Sequence, residues 1–378
     1  MNEVFDKEQA PKEQARVEQD RKYILAFHKI FSINLNNLYE RIKQSYGSFE
    51  AAWQAEEFPF RMGLTKKQTE AFVQLKKSID PERLEEECFR KKINYVTRSE
   101  QRFPFLLLQI SDIPCILYYC GEISLLANNC LAIVGSRQAT VYGLKQARVF
   151  AEELSNNELT IVSGLARGID AAAHEGALTG KGSTIAVLGA GLDELYPREN
   201  RRLFQRICEQ GLALSEFPPG TKPLSHHFPI RNRIISGLSS GVFVIEAKAR
   251  SGSLITCDLA LEQGKEVFAL PGVVTSPNSI GSLRLIQQGA KLVIYPQDIL
   301  EELGYEYRAE VYNNQKAKIE DISKTEKRIY NLLSWEPVNI DLLLERNMGQ
   351  EEMVLRILLE LELKGLIKQL PGKYYVRV

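Results

Sequence analysis

Four short stretches of this chain combine glycine or small hydroxyls with cations in one recurring way. They are Gly135-Ser136-Arg137; Ser163-Gly164 with Arg167-Gly168; Gly189 with Arg198, Asn200 and Arg201; and Lys248 with Ser251-Gly252-Ser253. Glycine lets a backbone approach a ligand closely. Helix-start N–H groups and seryl hydroxyls receive anionic oxygens. The chemistry these residue types share is phosphate binding. A fifth stretch, His226-His227-Phe228-Pro229, leads into Arg231, Asn232 and Arg233. A ring beside cations is what base stacking on a single strand needs, although Phe228 would serve equally as a core residue. For any one loop, glycine and serine are also explained by a tight turn; the functional reading rests on the convergence of all four.

Charge supports that reading locally. Lys plus Arg and Asp plus Glu number 48 each, so the whole chain indicates no partner. Between 198 and 250, however, nine cations face four acids, Glu199, Glu209, Glu216 and Glu246. The two adjacent histidines have no acidic or thiol partner at a ligand spacing, so no metal is expected. The six cysteines, Cys88, Cys115, Cys120, Cys130, Cys208 and Cys257, contain no pair of CxxC units and read as reduced thiols. The first residues are polar, with no signal-peptide core, and no apolar run reaches membrane-span length. The expected location is the cytoplasm, with no membrane partner.

The elements that must position these loops are legible as apolar runs. Leu131–Val134, Leu159–Val162, Thr184–Leu188, Leu212–Leu214, Val242–Ile245, Glu266–Leu270 and Lys291–Tyr295 read as strands alternating with helices. Several are apolar throughout, as strands covered on both faces are. The expected fold class is α/β: a Rossmann-like open, mostly parallel sheet with helices on both faces, spanning 131–300. Ligands of such sheets lie beyond the carboxyl ends of the strands, where the four loops fall. Residues 1–20 read as a frayed or helical tail, and 21–90 as a small all-α domain. Residues 91–130 read as an extended connector packing on the core, 301–325 as a linker, and 326–378 as three helices followed by two strands, a winged-helix order. On the third of those helices Glu351, Glu352, Glu360 and Glu362 outnumber Arg356 and Lys364. Its apolar positions, Met353, Leu355, Ile357, Leu358, Leu361 and Leu363, are expected mostly in the domain's own core.

Three catalytic patterns fail on context. Gly237-Leu-Ser239-Ser-Gly241 precedes a strand, where a nucleophile elbow must follow one. Gly176 to Lys181 is one residue short of a P-loop, and Gly189-Ala-Gly191 lacks the third glycine of a dinucleotide fingerprint. No nucleophile with a positioned base is evident, so no cofactor and no catalytic residue are expected.

The runs Ile133 to Arg137, SGLARGIDAAAH (163–174), TIAVLGAGLDELYPREN (184–200), SEFPPG (215–220), FPIRNRIISGLS (228–239) and EAKARSGSLITCDLALEQGKEVFALPG (246–272) together resemble the DNA-processing protein DprA family, also called Smf. The resemblance is dense over about 165 residues. It implies a SAM-like or helix-hairpin-helix N-terminal domain and a C-terminal winged helix. It also implies a non-enzymatic protein that binds and protects single-stranded DNA. Such a protein helps load RecA recombinase onto strands covered by single-strand-binding protein in natural transformation, and it works as a homodimer through the Rossmann-like domain. By resemblance Gly135, Ser136 and Arg137 form the first phosphate loop, Arg198 supplies a cation and Phe228 stacks on a base. The sequence departs from the family at Ser225, where a lysine is common, and at Leu283, where an asparagine is usual. The competing expectation is a nucleotide-processing enzyme of the lysine-decarboxylase-like Rossmann group. Those enzymes carry an acid three residues after a threonine; here Leu259 follows Thr256 at that spacing.

Overall fold

Apolar segments that lie buried on both faces build the centre of the molecule. β3 (Cys130–Val134), β4 (Thr160–Ser163), β5 (Thr184–Leu188), β6 (Leu212–Ser215) and β7 (Gly241–Val244) have every residue buried. β8 (Glu266–Ala269) and the two-residue β9 (Lys291–Leu292) complete the parallel part. The structure, a computed structural model, describes residues 3–306, 322–334, 337–347 and 350–377, with side chains from residue 17 onward. Most of the expected linker at 301–325 therefore lies outside the described residues.

The sheet has nine strands in the order β1-β2-β6-β5-β4-β3-β7-β8-β9. From β3 the chain winds one way to β6 and then returns to build β7, β8 and β9 on the other side. The switch point of this doubly wound sheet thus lies between β3 and β7, where a crevice opens at the carboxyl ends. The segment read as a connector contributes two further strands. β1 (Asn94–Thr97) and β2 (Ile116–Gly121) pair antiparallel with each other, and β2 pairs antiparallel with β6. The last expected strand is shorter than its apolar run, because Pro296 starts a helix right after Tyr295.

Helices cover both faces. α7 (Val141–Asn156), α8 (Ile169–Ala177) and α13 (Pro296–Glu302) pack on one through Phe150, Leu154, Ile169 and Ile299. α10 (His227–Leu238), α11 (Gly252–Glu262) and α12 (Ile280–Gln287) pack on the other through Ile234, Ile235, Leu238, Cys257 and Leu285. α9 (Arg201–Gln210) shares a third cluster with β2, β5 and β6. On α7, Glu153 is buried and its Oε2 has no hydrogen-bond partner among the described residues. Burial, with Glu152 adding repulsion, pushes its carboxyl up to about 7. A carboxyl whose pKa rises on folding costs stability above that pKa, and the cost is relieved as pH falls through about 7 towards its ordinary value. Glu153→Gln should therefore stabilise the protein by about 2 kcal/mol at pH 8. Urea titrations at pH 8 and pH 5 check this: the advantage should shrink at the lower pH.

The N-terminal helices are α1 (Glu3–Phe31), α2 (Asn36–Tyr46), α3 (Phe49–Gln54), α4 (Phe58–Arg61), α5 (Lys66–Ser78) and α6 (Pro81–Arg90). An aromatic core of Phe27, Phe49, Trp53, Phe58 and Phe72 joins them. α1 also packs on the sheet: Leu25 shares a cluster with Tyr95 and Tyr118, and the buried His28 Nδ1 lies 3.0 Å from the Tyr118 hydroxyl. Near the C-terminus, α14 (Lys324–Leu332), α15 (Ile340–Glu345) and α16 (Glu351–Leu363) stand with β10 (Val338–Asn339), β11 (Ile367–Leu370) and β12 (Tyr374–Arg377) in a winged helix. Ile357, Leu358 and Leu361 fill its core. Leu355 and Leu363 do not: they are 48% and 80% exposed, because they fall on the outer stripe of α16.

Candidate nucleic-acid interface

Each strand ends in a short loop, and the loops after β3, β4, β5 and β7 meet at one edge. Two of them are already satisfied by the protein's own carboxylates. Glu246, just past β7, accepts from the Thr140 N–H at 2.9 Å and from Thr140 Oγ1 at 2.5 Å. Thr140 caps α7, so Glu246 stands where that helix would otherwise receive an anion. Gly143 is required beside it, since a Cβ there would lie 2.5 Å from the carboxylate carbon. In the loop after β4, Asp170 accepts from the Gly164 N–H at 3.2 Å and the Ala166 N–H at 3.4 Å.

Under this loop lies Arg231, a residue whose role the sequence did not reveal. It is 4% exposed and donates to the carbonyls of Gly164, at 2.8 Å, and Val187. Burial lowers its pKa to about 10, while Asp170 raises it, so the guanidinium remains charged at neutral pH. Gly164 is glycine because a Cβ would lie 2.5 Å from Arg231 Nη1. Gly135 and Gly168 are likewise set by packing: a Cβ would meet Ile169 Cγ1 at 2.7 Å at the first, and the Ser136 carbonyl at 2.2 Å at the second. At these three positions glycine makes room for protein, against the expectation that it makes room for ligand. Ser163 Oγ is buried and donates to the Ile133 carbonyl at 2.6 Å, and Ser136 Oγ accepts from Gln138 N–H.

What remains open to a ligand is a platform. Phe228, at the start of α10, is partly exposed, and the Arg137 guanidinium carbon lies 5.3 Å from its ring centre. Tyr196, 44% exposed, tilts against the same ring at 5.7 Å. Gly189 lies beneath, where a Cβ would come within 3.0 Å of Phe228 Cδ1. His227 is turned inward, stacked on Phe217 at 4.2 Å. Arg137, Arg198, Arg201 and Lys248 are exposed around the edge, and the Lys248 Nζ donates to Gln138 Oε1 across the switch point at 2.8 Å. Next to Lys248, Ser251 caps α11 and lies 2.7 Å from Ser253 Oγ, while Gly252 opens onto free space. An exposed guanidinium over an aromatic face offers both interactions a single strand uses, phosphate pairing and base stacking.

Other expected site residues are structural. Arg233 is buried in an ion pair with Glu216 at 2.7 Å and Asp112 at 2.8 Å. Its charge is spent inside the molecule, so it leaves the ligand set. Asn232 is also buried and donates to the Gly252 carbonyl at 3.3 Å. Asn200 donates to the Leu165 and Ala166 carbonyls, tying the second loop to the third.

Arg167 is exposed but paired with Glu199 across the mouth between those loops. A phosphate would compete with Glu199 for it. Glu199→Gln should therefore tighten single-stranded DNA binding by about threefold and steepen its salt dependence; an unchanged or weaker affinity in a fluorescence titration would contradict this.

Known proteins resemble this chain over most of its length. A family model described as DNA recombination-mediator protein A matches residues 94–304, and a DprA winged helix domain model matches residues 314–373. The chain is 42% identical over 320 residues to Protein Smf of Escherichia coli (strain K12), which covers 82% of this chain and 84% of the relative. It is 51% identical over 203 residues to DNA processing protein DprA of Streptococcus pneumoniae, covering 54% of this chain and 72% of that protein. Among solved structures, DprA from Streptococcus pneumoniae superposes with a TM-score of 0.65 at 40% identity, over 75% of this chain and 98% of that one. DNA processing protein A from Helicobacter pylori, described for its single-stranded DNA binding mode, superposes with a TM-score of 0.52 at 33% identity, over 57% of this chain and 98% of that one.

Proposed function

The chain belongs to the DNA recombination-mediator protein A family, and from that premise we propose that it binds single-stranded DNA along the carboxyl edge of its sheet. The observation that carries this is the exposed Arg137 guanidinium over the Phe228 ring, beside Tyr196, at the end of the strand that borders the switch point. Arg137, Arg198, Arg201 and Lys248 hold phosphates, Phe228 and Tyr196 stack on bases, and Ser251, Gly252 and Ser253 offer a further anion position at the start of α11. Gly135, Ser136, Ser163, Gly164, Gly168, Gly189 and Asn200 shape the loops. In the wider reading the protein works as a homodimer in the cytoplasm. It protects incoming strands and helps load a RecA recombinase on them during natural transformation, without enzymatic turnover.

A mononucleotide enzyme would need an open phosphate cradle at the switch point. Glu246 occupies the start of α7 there, and the exposed rings form a platform rather than a closed pocket. The test is titration of the full chain with single- and double-stranded oligonucleotides at two salt concentrations, with a nucleotide-hydrolysis control. A clear preference for the single strand supports the reading; equal affinity for both forms, or sustained hydrolysis, overturns it.

The winged helix enters this reading as a protein-contacting module. α16 is net acidic on its exposed side, where Glu351 and Glu352 join the outward Leu355, Leu359 and Leu363. A duplex backbone would be repelled by such a face. Removing residues 320–378 should change single-stranded DNA affinity by less than about tenfold, near 1.4 kcal/mol; a larger loss would show that the wing binds DNA.

A further inference from the structure

Phe60 is a large aromatic side chain left 89% exposed, while its neighbours Phe27, Phe49, Phe58 and Phe72 are buried. It lies in the one-turn helix α4, just before the tight hairpin into α5. The Gly63 N–H donates to the Phe60 carbonyl at 2.9 Å, and the Leu64 N–H donates to the Pro59 carbonyl at 2.9 Å. Thr65 then caps α5 reciprocally with Gln68. The turn is therefore fixed by its own backbone, and the ring's exposure is built into it.

Cations flank this ring along the chain and reach its turn from α2. Arg61 is held by its stack on Tyr46, at 5.1 Å, and by donation to the Ser45 carbonyl at 3.2 Å. Arg41 reaches across from α2 to donate to the Met62 carbonyl at 3.1 Å, and its Nη2 lies 3.9 Å from where a Gly63 Cβ would stand. Lys66 and Lys67 open α5, both exposed. From Phe58 to Thr69 the chain carries three cations, Arg61, Lys66 and Lys67, and no acid; Glu57 and Glu70 bracket the stretch. Both arginines are oriented by uncharged partners, so their charge is not cancelled by those contacts.

The helical region lies on the ligand side of the sheet. Asn36 donates to Glu216, just past β6, at 2.8 Å, and Lys91 pairs with Asp193, in the loop after β5, at 2.7 Å. Both acids lie at the carboxyl ends, in or beside the loops that carry Tyr196 and Phe228. Leu64 of the hairpin and Gln68 just after it line one groove with Asn34 and Asn37, which flank Asn36, so a strand running past Glu216 from the platform approaches the hairpin.

We propose that the hairpin Phe60–Lys67 is a second single-strand contact, in which Phe60 stacks on a base while Arg41, Arg61, Lys66 and Lys67 hold flanking phosphates. This rests on the proposed function only for the route by which the strand arrives. The ring decides between strand forms: a base must be unpaired to lie on an exposed phenyl face, whereas cations alone would accept a duplex.

The experiment uses the full chain and oligothymidines of about 6 and about 30 nucleotides, one spanning a single platform and one reaching beyond it. Phe60→Ala and the double variant Lys66→Ala/Lys67→Ala should bind the short strand as the parent does. On the long strand Phe60→Ala should weaken binding about tenfold, and the double lysine variant should flatten the log K against log salt slope by about 1.4. Because these side chains are exposed, helical circular dichroism should be unchanged. Parental affinity and slope on the long strand, or an equal loss on both lengths, would overturn the hairpin contact. Failure of the platform reads out separately, as loss of short-strand binding by the parent or indifference of that binding to Arg137→Ala.

Discussion

Replacing Arg231 with methionine should destabilise the folded chain by about 3–5 kcal/mol, the range for breaking a buried charge pair from one side. The substitution would leave the buried Asp170 carboxylate without its larger counter-charge, Arg137 being the lesser, and the Gly164 and Val187 carbonyls without their donor. Both carbonyls stand at the carboxyl ends of β4 and β5, so loss of the guanidinium releases the loops that form the platform. Gly164→Ala should act in the same direction through the 2.5 Å approach to Arg231. Urea unfolding gives the measurement. A loss below about 1 kcal/mol, with an unchanged denaturant slope, would show that Arg231 does not brace these loops.

Removal of Arg137 and Phe228 should have the largest effect on ligand binding. Each single alanine variant should weaken single-stranded DNA affinity by about 1–3 kcal/mol, the cost of a lost phosphate contact or a lost stack. The double variant should lose less than the two costs combined, because the guanidinium and the ring touch each other and position one another. Arg137→Ala should also flatten the salt slope by about 0.7, whereas Phe228→Ala should leave it unchanged. Arg137→Ala should keep the parent's stability, since Arg137 is exposed, whereas Phe228→Ala, which removes a ring half-buried against Tyr196, should lower it without unfolding the chain. Strict additivity, or a slope change with Phe228→Ala, would contradict the arrangement.

The sheet was readable where its strands are apolar on both faces, as in β3, β5 and β7. It was not readable at β1, where Asn94 and Thr97 frame only two apolar residues; at β2 the run Ile116–Tyr119 is strand-like, but with the approach through Ile113-Pro114 it reads as an extended connector and not as a member of the sheet. β6, the strand through which β2 joins the pair to the sheet, lies about 95 residues after β2 in sequence, beyond the reach of local pattern. Arginines posed the same problem at the site. Arg231 and Arg233 have the composition of a phosphate contact, yet both are buried. The acids that claim Arg233 lie 121 residues before it, at Asp112, and 17 before it, at Glu216. Glycine was ambiguous for a related reason: absence of a side chain at Gly164 signals that something comes close, and the guanidinium that does so is supplied 67 residues later. Arg137, by contrast, was legible, because it follows an apolar strand directly and stays exposed, its ring partner Phe228 leaving the guanidinium open to solvent.

Asn36 bridges three segments: its amide nitrogen donates to Glu216 and Asp112, and its oxygen accepts from the Cys115 N–H. Together with the His28–Tyr118 contact and the shared core around Leu25, it fastens the helical region to the sheet. If the proposed single strand lies across both, the polymer rather than the protein does the adapting, so the ordering entropy of association falls on the strand, and stiffening it by base composition should alter affinity.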